Sequence, residues 1–377
     1  MRGFLPVPLT VCVLAGAPAL AQEFRFAPAL TLAKVYDDGL SPRSAGPAEA
    51  LALRLSPQLS SDYASARLFL LARAGFAADI FEARSERIAP SARMGELQVR
   101  ALATQRLTLS AGATYRETNI PRDLYAQTGF DPGLFEVKSF DVSTSAAYRL
   151  TPLANASVAY AFTRTAQGGL LTDNQSLVPA LEEEIGPRDK ARLEVLARRL
   201  SFHGQFAQEA VVPMLGWAHE LTRSLSVALR GGLRFAGWTP DGVEASASLR
   251  AEGSAVRASL TYSATQMAVP GLVGAVNTQS VSVAVTCKLS DRLALTAAPS
   301  AFASTGAPLE AKSFQLEAGA AYRVSGWLAL VTTYRYSAQQ VSRLSADSLP
   351  GATGHRQVLF ISASLSAPER GRSQAIE

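Results

Sequence analysis

Residues 321–336 read Ala-Tyr-Arg-Val-Ser-Gly-Trp-Leu-Ala-Leu-Val-Thr-Thr-Tyr-Arg-Tyr, and they hold the end of one strand, a tight turn and a full second strand. Upstream of the turn, Phe314, Leu316, Ala318, Ala320 and Tyr322 alternate with Gln315, Glu317, Gly319, Ala321 and Arg323. One face is greasy and the other polar, the period-two signature of a half-buried strand. Downstream, Leu328, Leu330, Thr332, Tyr334 and Tyr336 alternate with Ala329, Val331, Thr333, Arg335 and Ser337. Val324-Ser325-Gly326 between them is short enough to force an antiparallel hairpin. The turn recurs as Tyr148-Arg149-Leu150-Thr151 and as Cys287-Lys288-Leu289-Ser290, each followed at once by a new alternating run.

The same alternation marks candidate strands near 24–36, 47–58, 64–82, 91–104, 107–118, 135–150, 154–166, 188–199 and 200–208. Further ones fall near 211–221, 225–236, 242–252, 255–268, 276–288, 292–303, 312–324, 327–340 and 355–367. That makes about 18, or 16 if 200–208 continues a neighbour. Short turns are expected at Ser60-Ser61-Asp62, Thr104-Gln105-Arg106, Thr151-Pro152-Leu153, Thr222-Arg223-Ser224, Gly253-Ser254, Ser290-Asp291 and Ser325-Gly326. Longer links are expected at 37–46, 83–90, 119–134, 167–187, 237–241, 269–275, 303–311 and 341–354. Turn chemistry such as Asp131-Pro132-Gly133 lies in the long links.

Hydrophobic residues make up 48% of the 377 and charged ones only 18%, yet after the first residues no run of 18 apolar side chains follows. So much alternating apolar surface needs either a second sheet or lipid to cover it. Short turns alternating with long links fit an up-and-down transmembrane β-barrel, lipid outside and polar lumen inside. Tyr148, Tyr322 and Trp327 beside short turns, and Tyr115, Phe162, Phe235, Trp238, Tyr262, Tyr334 and Tyr336 toward long links, read as two interfacial girdles.

Arg2, an apolar run and Ala19-Leu20-Ala21 predict a secretory signal over 1–21, cleaved near Ala21. The barrel is expected over 22–367, followed by a periplasmic tail over 368–377. Losing Arg2 takes the formal charge from +5 to +4, spread along the chain, so no nucleic-acid patch follows. Cys287 alone remains after cleavage, which leaves no disulfide framework.

Catalytic residue types form no constellation. His219 is in phase with Leu215, Trp217 and Leu221, hence outward, His203 sits at a presumed turn, and His355 begins the last strand. Glu182-Glu183-Glu184 reads as a solvated loop charge run before a cation site. No catalytic, cofactor-binding or metal-ligating residue is therefore expected, and no enzyme. Phase instead gives lumen-lining candidates: Arg54, Arg100, Arg116, Arg149, Arg230, Arg234, Arg257, Glu317, Arg323 and Arg335, with Glu96, Gln98, Glu244, Arg250, Thr261, Lys288 and Gln315. Arginine dominates, which suits polar, somewhat anionic solutes.

At the tandem turns, the strand Val276–Val281 and the closing His355-Arg356-Gln357-Val358-Leu359-Phe360, the chain resembles the β-barrel porins of bacterial outer membranes, and more narrowly the large barrels that accompany exopolysaccharide export. The resemblance implies a location in the outer membrane of a Gram-negative-type bacterium and export of a polysaccharide, with a periplasmic export partner. The other expected partners are outer-membrane lipid and the barrel-assembly machinery. The alternatives are general diffusion of small polar or anionic solutes and, in another class, an outer-membrane enzyme or a structural barrel without an open pore. The C-terminus departs from the pattern, because Leu359–Leu365 is followed by Pro368 and a polar tail to Glu377.

Overall fold

The computed structural model describes residues 23–38, 51–81, 88–119, 129–130, 136–202, 206–307, 309–344 and 353–366. The expected signal over 1–21, the tail over 368–377 and His203 lie outside the described residues. Eighteen strands follow one another with no helix among the described residues: β1 (Glu23–Asp37), β2 (Leu51–Ala64), β3 (Leu68–Ile80), β4 (Ile88–Leu102), β5 (Leu107–Thr118) and β6 (Val137–Arg149). Next come β7 (Ala154–Gln167), β8 (Leu170–Glu184), β9 (Asp189–Phe202), β10 (Phe206–Thr222), β11 (Leu225–Ala236) and β12 (Thr239–Glu252). The last six are β13 (Val256–Ala268), β14 (Ala275–Lys288), β15 (Leu293–Thr305), β16 (Leu309–Arg323), β17 (Leu328–Leu344) and β18 (Thr353–Ser366). Each pairs antiparallel with its sequence neighbours, and β1 closes the ring on β18.

The recurrent turn has one geometry. In the hairpins β6–β7, β14–β15 and β16–β17 two successive amides donate to one carbonyl: Leu150 and Thr151 to Ala154, Leu289 and Ser290 to Leu293, Val324 and Ser325 to Leu328. The hydroxyls of Thr151, Ser290 and Ser325 then accept from the two amides that start the next strand, at 2.9–3.4 Å. A hydroxyl at that position satisfies donors the ladder leaves over.

Four expectations are corrected. Loop 167–187 is strand β8, joined to β7 by the two-residue turn Gly168-Gly169, both at positive φ. Strand 200–208 is not separate, since Leu200–Phe202 ends β9 and Phe206 begins β10. The turn after β2 is at residues 65–67, and Ser60-Ser61-Asp62 stays inside the strand, which runs on because its ladder with β1 continues to Glu23. The 237–241 link likewise shrinks to Gly237-Trp238. One end of the barrel thus carries eight uniformly short turns and both strand termini, and the other carries links of mixed length.

Prolines in strand interiors face outward, and their cost is local. The β2–β3 ladder lacks pairs around Pro57, β8–β9 around Pro179, β10–β11 around Pro213 and β14–β15 around Pro299. A proline has no N–H to give one neighbour, while the ladder on the other side persists. Gly232, the register partner of Met214, lies against the break at Pro213, where an added Cβ would lie 2.0 Å from the Pro213 carbonyl oxygen.

Followed once around the wall, the pairings displace the starting point by about 22 residues. For 18 strands that corresponds to a tilt of about 40° and a backbone radius of about 18 Å, too wide for wall side chains alone to fill. Outside, Leu193, Leu215, Leu229, Val243, Leu260 and Val281 are all exposed. On β9 the outward residues Ala191, Leu193, Val195 and Ala197 lie between Asp189 and Arg199, and on β10 Val211, Pro213, Leu215 and Trp217 lie between Glu209 and His219. Asp189 meets His219 at 2.8 Å, and Arg199 meets Glu209 at 3.6 Å. Ten positions at this tilt rise about 25 Å, the height of the apolar band of a membrane barrel.

Candidate functional site

Alternation places the polar set inside. Thr261, Ser263 and Thr265 on β13, Ser280 and Ser282 on β14, Ser300 on β15, Gln315 and Glu317 on β16, and Arg335 and Ser337 on β17 line one cavity of about 430 Å³. Hydroxyls pair across the strands, Ser263 with Ser280 at 2.7 Å and Thr278 with Ser304 at 3.0 Å. Small hydroxyl side chains leave the wall hollow and wettable, so solutes meet donors and acceptors without meeting bulk.

The lid of this cavity comes from the far wall. Phe130, from the link between β5 and β6, lines it and packs with Val269, Leu272, Val276, Leu309 and Ala311. β5 and β6 stand half-way round the barrel from β15 and β16. The Gln315 side-chain amide donates to the Gly129 carbonyl at 3.2 Å. Gly129 has φ +66°, and a Cβ there would meet Phe302 and the Ser313 hydroxyl at 2.3 Å. Only glycine brings backbone this close. The β13–β14 link also turns inward: Val269 and Leu272 are buried, and Gly271 lies against the Gln167 side chain of β7.

Two paired-charge arcs flank the cavity. On one side Arg54 holds Asp79 at 2.7 and 2.8 Å, Arg356 holds Asp37 at 2.8 and 2.7 Å, and Arg335 meets Glu317 at 2.5 Å. The guanidiniums of Arg54 and Arg335 each lie 5.7 Å from the Phe360 ring. On the other side Glu194, fully enclosed, accepts from Arg192 at 2.7 Å and from Arg230 at 2.8 Å. Glu244 is shared among Arg198, Arg234 and the Thr265 hydroxyl, and Arg234 also donates to Asp241 at 2.8 Å. Such charges are held inside only because each is paired.

The ten lumen candidates all carry the inward parity of their strands. Arg54, Arg230, Arg234, Glu317 and Arg335 belong to the paired arcs. Arg100, Arg116, Arg149, Arg257 and Arg323 stand apart from them, paired in register with Ser110, Ser139, Asn155, Glu252 and Ala329. Sequence reasoning missed Glu194, Arg198, Asp79 and Asp37, which the same alternation would have given. It also missed Gly129 and Phe130, for which no local signal exists. Glu182 and Glu184 have ammonium or guanidinium partners, Arg192 at 3.5 Å and Lys190 at 3.0 Å. Among the described residues no group of three or more His, Cys, Asp and Glu is placed to hold a metal ion. His219 faces outward, stacked on Trp217 with ring centroids 5.4 Å apart.

No family model and no curated protein matches this chain. Solved structures do resemble it. The siderophore receptor PirA from Pseudomonas aeruginosa aligns over 91% of this chain and 80% of its own, at 8% identity and a TM-score of 0.43. OmpT of Vibrio cholerae aligns over 93% and 99%, at 10% identity and a TM-score of 0.44. PirA from Acinetobacter baumannii aligns over 93% and 81%, at 6% identity and a TM-score of 0.46.

Proposed function

We propose that this chain is an outer-membrane pore for small polar solutes, without enzymatic activity. The observation that carries the reading is the hydroxyl-lined cavity in the lumen, roofed by Phe130 from the opposite wall. The apolar band of about 25 Å between two polar belts supports a bilayer as the surroundings, and the leader-like first 21 residues support the outer membrane of a Gram-negative-type cell as the place.

Export of a polysaccharide, which the family resemblance implies, is the finer alternative. A polymer needs an uninterrupted bore, whereas Gly129 and Phe130 lie across this one with buried partners on the far side. The geometry therefore favours small solutes. A periplasmic partner is required only by the polymer reading, while lipid and the assembly machinery serve both.

The test is swelling of vesicles that carry the folded full chain, in isotonic sugars of increasing size. Swelling in a monosaccharide with exclusion of long dextrans is expected. Passage of the dextrans would favour the polymer reading, and no swelling at all would overturn the pore.

A further inference from the structure

The unpaired cations of the lumen gather at one end, with Arg116 near the mixed-link end of β5 as the exception. Near the mixed links every cation of the two arcs has a carboxylate partner. At the short-turn end six lumen-facing cations do not: Arg100, Arg149, Arg250, Arg257, Lys288 and Arg323 are all exposed and make no ion pair among the described residues. They lie on β4, β6, β12, β13, β14 and β16, within the few positions next to a short turn.

Their inward direction follows from the register. Arg149 shares its face with Asp141 and Ser139, Lys288 with Ser282 and Ser280, and Arg323 with Glu317 and Gln315, the last two pairs lining the cavity. Three lumen-facing carboxylates at the same end are likewise without an ion pair, Asp62, Glu220 and Glu252, while Glu23, Glu182 and Glu184 are matched by Arg25, Arg192 and Lys190, so the unpaired cations exceed the unpaired carboxylates by three. Arg67, Arg106, Arg188, Arg223 and Arg292 in the short turns add positive charge around the rim, against Asp291.

We propose that this end of the lumen is an anion filter: a ring of unpaired guanidinium and ammonium groups that concentrates small anions, carboxylates and phosphates among them, and repels cations. The inference rests on the pore reading and names its preferred solute. Rings of Arg and Lys in a low-dielectric bore focus potential on the axis, and unpaired groups keep their whole charge for the passing ion. Groups of the paired arcs have spent theirs on neighbours.

The experiment is the reversal potential of the full chain in a planar bilayer under a potassium chloride gradient, alongside the variant R149Q/R257Q/K288Q/R323Q. The wild type should reverse toward the chloride potential, and the variant should move toward zero. All four residues are exposed, so folding is expected to survive; should it fail, the single substitutions serve, each shifting the potential by part of the whole. Lys34, which faces outward on β1, provides the control, since K34Q should leave selectivity unchanged. A conducting wild type that reverses near zero or toward potassium overturns the filter and leaves the pore intact. An anion preference unmoved by the variants overturns the assignment to this ring. A folded protein that conducts nothing overturns the pore reading itself.

Discussion

The Gln315 side chain donates a hydrogen bond to the Gly129 carbonyl, although the two residues belong to opposite walls of the barrel. That contact, with Phe130 buried beside it, makes part of the lumen's narrowing a property of one segment and not of the wall.

Substitution of Gly129 should therefore widen the bore. Alanine cannot take φ +66° without strain and would place its Cβ 2.3 Å from Phe302. The segment should leave its seat, and single-channel conductance of Gly129→Ala should rise above wild type. Gln315→Ala removes one hydrogen bond, worth about 1 kcal/mol, and should give a smaller rise with more frequent switching between levels.

Charge on the outer face should be costly only within the band. Leu193 is exposed at mid-height of β9, and Leu193→Arg should destabilise the folded barrel in lipid vesicles by about 2–4 kcal/mol. Ser282→Arg, on the lumen face, should leave stability nearly unchanged and reduce conductance. Urea midpoints in vesicles check the first, and channel recording the second.

Glu194 anchors two arginines with no exposure of its own, while Arg230 is half-exposed. The double variant Arg192→Ala/Arg230→Ala leaves the enclosed Glu194 carboxylate without its partners and should cost about 3 kcal/mol. Arg230→Ala removes a solvent-screened partner and should cost less than about 1 kcal/mol. The order of the two unfolding midpoints is the observable.

Much of this architecture is legible in the sequence because alternation is a local property, fixed by which face meets lipid. The parity of Arg149, Arg257 and Arg323 follows directly from their apolar neighbours. Strand β8 escaped because Pro179 and the run Glu182–Glu184 carry the composition of a loop. The ladder tolerates the proline by giving up pairs on one side only, and two of the three glutamates find cations on β9. The strand count still reaches 18 because the expected strand at 200–208 stands in for β8. The crossing by Gly129 and Phe130 was not legible. It joins residues more than 180 positions apart through a hydrogen bond and an apolar cluster, neither of which leaves a periodic trace.

The most direct test is the current carried by the purified full chain in a planar bilayer, after its gel mobility has been shown to change on boiling, as a folded barrel's does. Discrete, ohmic steps of uniform size are predicted. Folded, heat-modifiable protein that inserts and yet carries no current would contradict the account.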